Sequence, residues 1–454
     1  MQPLQRYTRR RSISAFFGAL ALCLSACNAA APTPSVSPAA SCTIGAAQRV
    51  ATDSISVAVT TPIAAAHAPR PANVGERFVF AQLYETLIGI DCDGHAYPAL
   101  ARSWTTDATK TRVTLVLRDD ARFWSGDAVT TRDVLAAWQA TAATPADSNH
   151  LARRLADGTT IVDDHTLTVS LPNTDSLVLA EPTLAIYRRR TGVAWPEGTG
   201  PYRAGEPARD VAPGLALTPV DGKAPRLFIR SGPDARDAID SGVDLLLTSD
   251  PVALSYASAR PNYDVTPLPW NRTYVLAVPG RSVGAVAEAL SSADSVAFRS
   301  SLARDAVRAD ARAAESLVWW TRECDATQPL AAAPPVPGRR LIVYRSDDPI
   351  ARGIAERIVA VGRRATAAPL GAAEFNRVLR AGNELAYVIA LSRTSIAPCF
   401  DLAALHSSAP WLGAGPIADA LVPLVETRDK AVVKHDRVSA SVDWDGTLRM
   451  NARP

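Results

Sequence analysis

The sequence predicts an α/β protein of at least two lobes, and three observations point there. Residues 227–247 and 340–391 each run from an apolar strand through helix to a second strand, the order that builds parallel sheet. The chain has 454 residues, 47% hydrophobic and 20% charged, enough for two or three packed cores. No repeat of roughly 20–50 residues divides it, so a solenoid is excluded.

The elements follow in order. Residues 54–59 (SISVAV) alternate polar and apolar side chains, as a first strand does. Over residues 73–87, Phe80, Leu83 and Leu87 share one helical face, and Asn73 is placed to cap it. Asp93-Gly94 signals a turn, and residues 112–118 (RVTLVLR) alternate again with Val113, Leu115 and Leu117 to one side. Thr130-Thr131-Arg132-Asp133 has the pattern of a capping box ahead of Val134, Ala137 and Trp138. Residues 160–171 read as a strand pair around Asp163-Asp164. In the second half, 227–230 is a strand, 234–241 a helix and 243–247 a strand; 273–278 is a further strand and 294–317 a helical stretch. A proline-rich connection at 331–338 leads to a strand at 340–344, helices at 349–363 and 372–381, and a strand at 385–391.

The N-terminus reads as an address. Arg6, Arg9, Arg10 and Arg11 form a basic region before an apolar stretch at 13–26 that is too short to span a bilayer. It ends in Leu24-Ser25-Ala26-Cys27, which resembles the bacterial lipobox, with Cys27 as the lipidated residue; the alternative is a plain signal with Cys27 an ordinary thiol. Sec and twin-arginine export are both open. Residues 28–41 are small, polar and proline-bearing, a flexible tether. No later run of ~18 apolar residues suggests a second membrane segment.

The formal charge of +3 is carried by this leader. Without its four arginines, 44 basic residues face 45 acidic ones, which excludes the positive surplus a nucleic-acid binder needs. Four cysteines remain in the exported body: Cys42, Cys92, Cys324 and Cys399. In an oxidising compartment they suggest two disulfides. Three pairings are possible; Cys42–Cys92 with Cys324–Cys399 is preferred, because each bond then stays within one half of the chain. No C-x-x-C spacing suggests a metal. Walker loop, H-E-x-x-H and G-x-S-x-G motifs are lacking, so no catalytic residue and no cofactor is assigned. The acid pairs Asp91/Asp93, Asp119/Asp120, Asp163/Asp164 and Asp347/Asp348 lie at strand ends and turns, where Asp bonds backbone. Trp104, Trp124 and Trp138 read as core.

One ordered set of residues goes further. Tyr84-Glu85-Thr86-Leu87 is followed by Asp93-Gly94, Pro98-Ala99-Leu100-Ala101, Ser103-Trp104, the 113–118 strand, Phe123, the 126–131 segment and Asp133-Val134. Then come Gly198-Thr199-Gly200-Pro201-Tyr202, Gly242-Val243-Asp244, the 344–356 segment with Gly382 and Tyr387, and Ala420-Leu421-Val422-Pro423-Leu424. This order resembles the bacterial extracellular solute-binding proteins of family 5, the peptide/nickel class of transporter receptors, over about residues 54–448.

The resemblance implies a two-lobed periplasmic-binding-protein-like α/β fold, with an extra subdomain on the first lobe and hinge strands between lobes. It divides the chain into a signal peptide (1–26), a lipidated cysteine and tether (27–50), lobe I (51–80), the extra subdomain (81–197), lobe I again (198–274), lobe II (275–408) and a C-terminal return to lobe I (409–454). Ligand, peptide-like or another small molecule, would lie between the lobes and pass to an ABC permease. The crossing segment would border the cleft with Trp270, Asn271, Arg272 and Tyr274, joined by Arg393 and Trp411. The receptor is expected to be a monomer, to bind no nucleic acid, and to face the periplasm or cell exterior on its lipid anchor. Two features depart from the pattern: a short second lobe, and Ser392-Arg393-Thr394-Ser395 where peptide-binding members carry an ammonium-binding Asp, the nearest acid being Asp401. They leave room for a sensor or scaffold lipoprotein, and less so for a secreted hydrolase.

Overall fold

The alternation in residues 54–59 translates directly into burial: Ile55, Val57 and Val59 are all in the core of a central strand, Ser54–Val59. The structure, a computed structural model, describes residues 42–45, 53–109, 111–144, 150–170, 176–205, 214–232, 234–277, 296–306, 310–314, 340–361, 365–382, 386–393 and 421–450. Among them, no helix is long and apolar enough to cross a membrane.

Ser54–Val59 lies mid-way in a seven-stranded sheet, with the order Tyr202–Ala204, Leu215–Pro219, Arg226–Ser231, Ser54–Val59, Leu245–Thr248, Lys430–Lys434, Tyr263–Pro267. Arg226–Ser231 and Leu245–Thr248 flank it in parallel, and helix Ala235–Asp240 joins them. Asp234 caps that helix, accepting the N–H groups of Arg236 at 2.8 Å and Asp237 at 3.3 Å. This is the expected first lobe.

The second lobe is a six-stranded sheet in the order Ala311–Ala313, Leu421–Thr427, Arg272–Ala277, Ala386–Ser392, Arg340–Arg345, Ala365–Leu370. A helix covers each face. Along Arg272–Ala277, Tyr274 and Leu276 pack with Ile350, Ile354 and Ile358 of helix Pro349–Val361, while Val275 and Ala277 pack with Phe375, Val378 and Leu379 of helix Ala372–Ala381. Burial on both faces explains why residues 274–277 of this strand run apolar without alternation.

The extra subdomain is a four-stranded antiparallel sheet, Ala101–Thr106, Arg112–Leu117, Thr166–Ser170, Thr159–Ile161, with helices Thr131–Ala142 and His150–Asp157. The capping box forms: the Thr130 N–H donates to Asp133 Oδ2 at 2.8 Å, and the Thr130 side chain accepts in return from the Asp133 backbone. Trp138 is fully buried, and Trp104 and Trp124 are partly buried against the same core. Gly198 and Gly200 are glycines for want of room, since a Cβ at Gly198 would fall 2.0 Å from the Leu83 carbonyl oxygen. Cys42 and Cys92 are joined by a disulfide. It ties strand Thr43–Gly45, paired with Ser439–Val442, to the turn after Ile88–Ile90. Cys324 and Cys399 lie outside the described residues.

Several boundaries differ from expectation. The limit at 80/81 cuts helix Val74–Leu83, whose Phe78, Val79, Phe80 and Leu83 share one continuous core with both lobe I and the subdomain. The limit at 274/275 falls inside Arg272–Ala277, a strand bonded wholly within the second sheet; the chain leaves the first sheet at Pro267. The C-terminal return likewise begins after Thr427, because Leu421–Thr427 pairs with Arg272–Ala277. The helix expected to reach residue 87 stops at Leu83, since Tyr84 turns extended to enter the next pairings. Part of the expected 294–317 helix is the strand Ala311–Ala313, drawn out of helix by pairing with Leu421–Thr427. Strand Ala365–Leu370 has no counterpart in the sequence reading: it is an alanine-rich edge strand ending beside Pro369 and only half-buried.

Candidate functional site

Two segments among the described residues carry the chain between lobes, 268–271 and 428–429. Pro267 faces Lys430 in one sheet and Arg272 faces Thr427 in the other, so the two crossings run side by side as one antiparallel ribbon. The Leu268 N–H donates to the Asp429 carbonyl at 3.1 Å between them.

In front of this ribbon lies a cleft of about 1020 Å³ whose walls come from different sheets. Lobe I supplies Thr60, Thr61, Thr248, Ser249 and Asp250, at the C-terminal ends of its parallel strands. Lobe II supplies Arg345, Asp347 and Asp348 at the end of its own parallel strand, with Arg272 and Tyr274 from the ribbon side. Strand ends are where open α/β sheets leave a crevice for ligand. On each wall an Asp-Pro pair opens a helix. Asp250 accepts from the Val252 N–H at 2.8 Å, and Asp348 from Ile350 at 3.0 Å and Ala351 at 2.9 Å. Asp348 also accepts the Tyr274 hydroxyl, at 3.1 and 3.2 Å from its two oxygens. Burial pushes the Tyr274 phenol well above its usual range, and the Asp348 charge adds to this, so the hydroxyl stays a donor. A hydrogen bond from Arg345 holds the Asp347 carboxyl below the ordinary range.

Toward the ribbon the cleft narrows into a second cavity of about 230 Å³, and Thr61, Arg272 and Ser392 line both. Its walls are the start of helix Val74–Leu83 with Arg77, the crossing residue Asn271, Arg393 and Asp429, and the turn Asp445-Gly446-Thr447. Gly446 has φ +82°, in the left-handed region, so this turn favours glycine. Asp445 organises the group: its oxygens accept from Arg77 Nη1 at 2.8 Å and the Thr447 N–H at 2.9 Å, and its carbonyl accepts from Asn271 Nδ2 at 3.1 Å.

The anticipated residues therefore divide. Arg272 and Tyr274 line the cleft, and Asn271, Arg272 and Arg393 line the inner cavity. The Arg393 guanidinium lies over the Trp444 ring at 4.8 Å, and the Arg393 backbone N–H donates to the Asn271 carbonyl at 2.7 Å. Trp270 lines neither space. The guanidinium groups of Arg312 and Arg428 lie over its ring, at 4.5 and 4.4 Å from the centroid. Trp411 and Cys27 lie outside the described residues. Sequence reasoning passed over Arg77, Asp445 and Thr447. The i, i+4 spacing of Asn73 and Arg77, and the turn signal in Asp445-Gly446, were the available hints. Cys42, Cys92 and Asp93 could together be mistaken for metal ligands, but both sulfurs are in the disulfide.

Residues 95–210 match the family of bacterial extracellular solute-binding proteins, family 5 Middle. No curated protein matches the sequence. Among solved structures, the murein tripeptide binding protein MppA of Escherichia coli is 15% identical with a TM-score of 0.63, covering 89% of this chain and 99% of its own. OppA of Haemophilus influenzae, solved with the peptide RPPGFSPFR, gives 15%, 0.62, 89% and 100%. NikA of Brucella suis, solved with Fe(III)-EDTA, gives 15%, 0.60, 84% and 95%. At such identity these likenesses speak for the fold. Residues 95–210 are thus similar to the middle part of the family 5 bacterial extracellular solute-binding proteins, and the chain shares its two-lobed fold with these solved structures.

Proposed function

We propose that the protein is an extracytoplasmic receptor that captures a small ligand between its lobes and delivers it to the permease of an ABC importer. The supporting observation is the cleft itself. Polar groups from two separate sheets face one another across it, and one ribbon joins those sheets, the construction that permits closure by hinge motion. The residues offered to ligand are Asn271, Arg272, Tyr274 and Arg393, with Trp270 held by Arg312 and Arg428 beside them. Where peptide-binding members of the family carry an acid for the ligand ammonium, this chain has Ser392 and Arg393, which favours a ligand other than an ordinary peptide. The carboxylates nearest the cleft act as helix caps and ion-pair partners, in keeping with binding rather than catalysis. The leader and Cys27 supply the membrane anchor in this reading.

Native mass spectrometry of the purified body, followed by small-angle scattering with and without the mass it retains, tests the proposal. A bound small molecule whose return reduces the radius of gyration supports it. Protein that carries no ligand and scatters identically in every mixture argues for the sensor or scaffold instead.

A further inference from the structure

Buried polar atoms are nearly always paired, and those that are not call for an explanation. Among the described residues, Asn271 Oδ1, Thr447 Oγ1 and Arg77 Nε have no hydrogen-bond partner, and all three side chains line the same inner cavity. Asn271 and Thr447 are 8% and 6% exposed. Each of the three residues gives one N–H to Asp445, which fixes its position and leaves a second polar atom unused. The Asn271 amide cannot simply be turned over, because the Asp445 carbonyl needs its NH₂. The cavity thus offers one acceptor, one donor and one hydroxyl able to do either.

Two further facts narrow the occupant. Four of the charges beside it come as pairs, Arg77 with Asp445 at 2.8 Å and Arg272 with Asp429 at 3.2 Å, which offer a ligand with net charge no unbalanced partner. The fifth, the Arg393 guanidinium, lies over the Trp444 ring at 4.8 Å. At about 230 Å³ the space is smaller than the ~300–1,000 Å³ of pockets for drug-sized ligands, with room for roughly eight water-sized groups.

Resting on the receptor reading above, we infer that this inner cavity binds a free amino acid or a compact primary amide. Its ammonium or amide N–H meets Asn271 Oδ1, its carboxylate or carbonyl meets Arg77 Nε, and the Thr447 hydroxyl bridges.

The test is titration calorimetry on the full mature chain, freed of bound molecules by unfolding and refolding. The probes are glycine, L-serine, L-asparagine, L-glutamine and tri-alanine. At least one single amino acid should bind one to one, and more tightly than tri-alanine. Thr447→Val should weaken that probe about tenfold while raising the apo melting temperature, because it deletes a buried unpaired hydroxyl without changing shape. Arg77→Lys, which keeps a positive charge near Asp445 but removes the Nε donor, should weaken it comparably and serves if the first variant misfolds. Tri-alanine binding with lobe closure, unaffected by either substitution, overturns this inference and leaves the receptor reading intact. No heat from any probe overturns it too, and if scattering also shows no closure the receptor reading falls with it. Single amino acids that bind with affinities indifferent to both variants mean that the cavity holds water and the ligand sits elsewhere.

Discussion

Arg272 and Asp429, one at the end of each crossing between the lobes, are bonded at 3.2 Å through both carboxylate oxygens. Their side chains are 14% and 6% exposed. The Asp429 charge is the main reason the Arg272 guanidinium holds its proton even more firmly than usual. Removing one member of such a pair leaves the other buried and uncompensated. Asp429→Ala should therefore destabilise the protein by about 3–5 kcal/mol. A urea titration followed by tryptophan fluorescence measures it. A loss below about 1 kcal/mol would mean that water reaches Arg272 freely.

Alkaline pH should expose three buried phenols. Burial is the main cause raising Tyr84, Tyr97 and Tyr274 above the ordinary value of 10.0, with Asp443 adding to the shift at Tyr97 and Asp348 at Tyr274. Above that value the unfolded chain releases these protons and the folded chain keeps them. Stability must then fall as pH rises, by ~1.4 kcal/mol per pH unit for each group. Tyrosinate absorbance against pH should show at least these three of the ten tyrosines titrating only as the chain unfolds. Smooth ionisation of all ten in folded protein contradicts this.

The Cys42–Cys92 bond closes a loop with a sequence separation of 50 residues. In the chain-entropy picture such a cross-link contributes roughly 2–4 kcal/mol. Paired Cys42→Ser and Cys92→Ser substitutions should lower the melting temperature by several degrees without abolishing the fold, because Ile44 and its strand partners stay buried. Calorimetry decides, and an unchanged transition would show the bond to be idle.

Lipidation predicts a fractionation result. Cys27→Ala should move the protein from the membrane pellet to the soluble fraction, since a tether without acyl chains has nothing to hold a bilayer. Pelleting as before would leave Cys27 an ordinary thiol.

The fold was legible wherever local pattern and tertiary environment agree. Ser54–Val59 and Arg112–Leu117 alternate because one face of each is core, and the Thr130–Asp133 box is a purely local device. Ala365–Leu370 and Ala311–Ala313 were not legible, since both are alanine-rich edge strands whose extended form is imposed by a neighbour. At the site, Asn271, Arg272 and Tyr274 could be singled out because they are consecutive with the crossing. Arg77 and Thr447 could not, because only the folded chain brings the first helix against the last hairpin through Asp445. Trp270 shows the converse: an aromatic in the right segment, but engaged by two arginines and lining neither space.

The position of the disulfide has a mechanical consequence. Any pull on the N-terminal segment enters the described body at Cys42, where the load divides between a covalent link to Cys92 and a strand paired to Ser439–Val442. Both paths end on the core that lobe I shares with the subdomain. Neither passes through the Leu268–Asp429 contact or the second sheet, so a load applied there is borne before it reaches the crossing segments. If the cleft closes and the leader is anchored as proposed, lobe II would swing at the same cost with the N-terminal segment loose or under load.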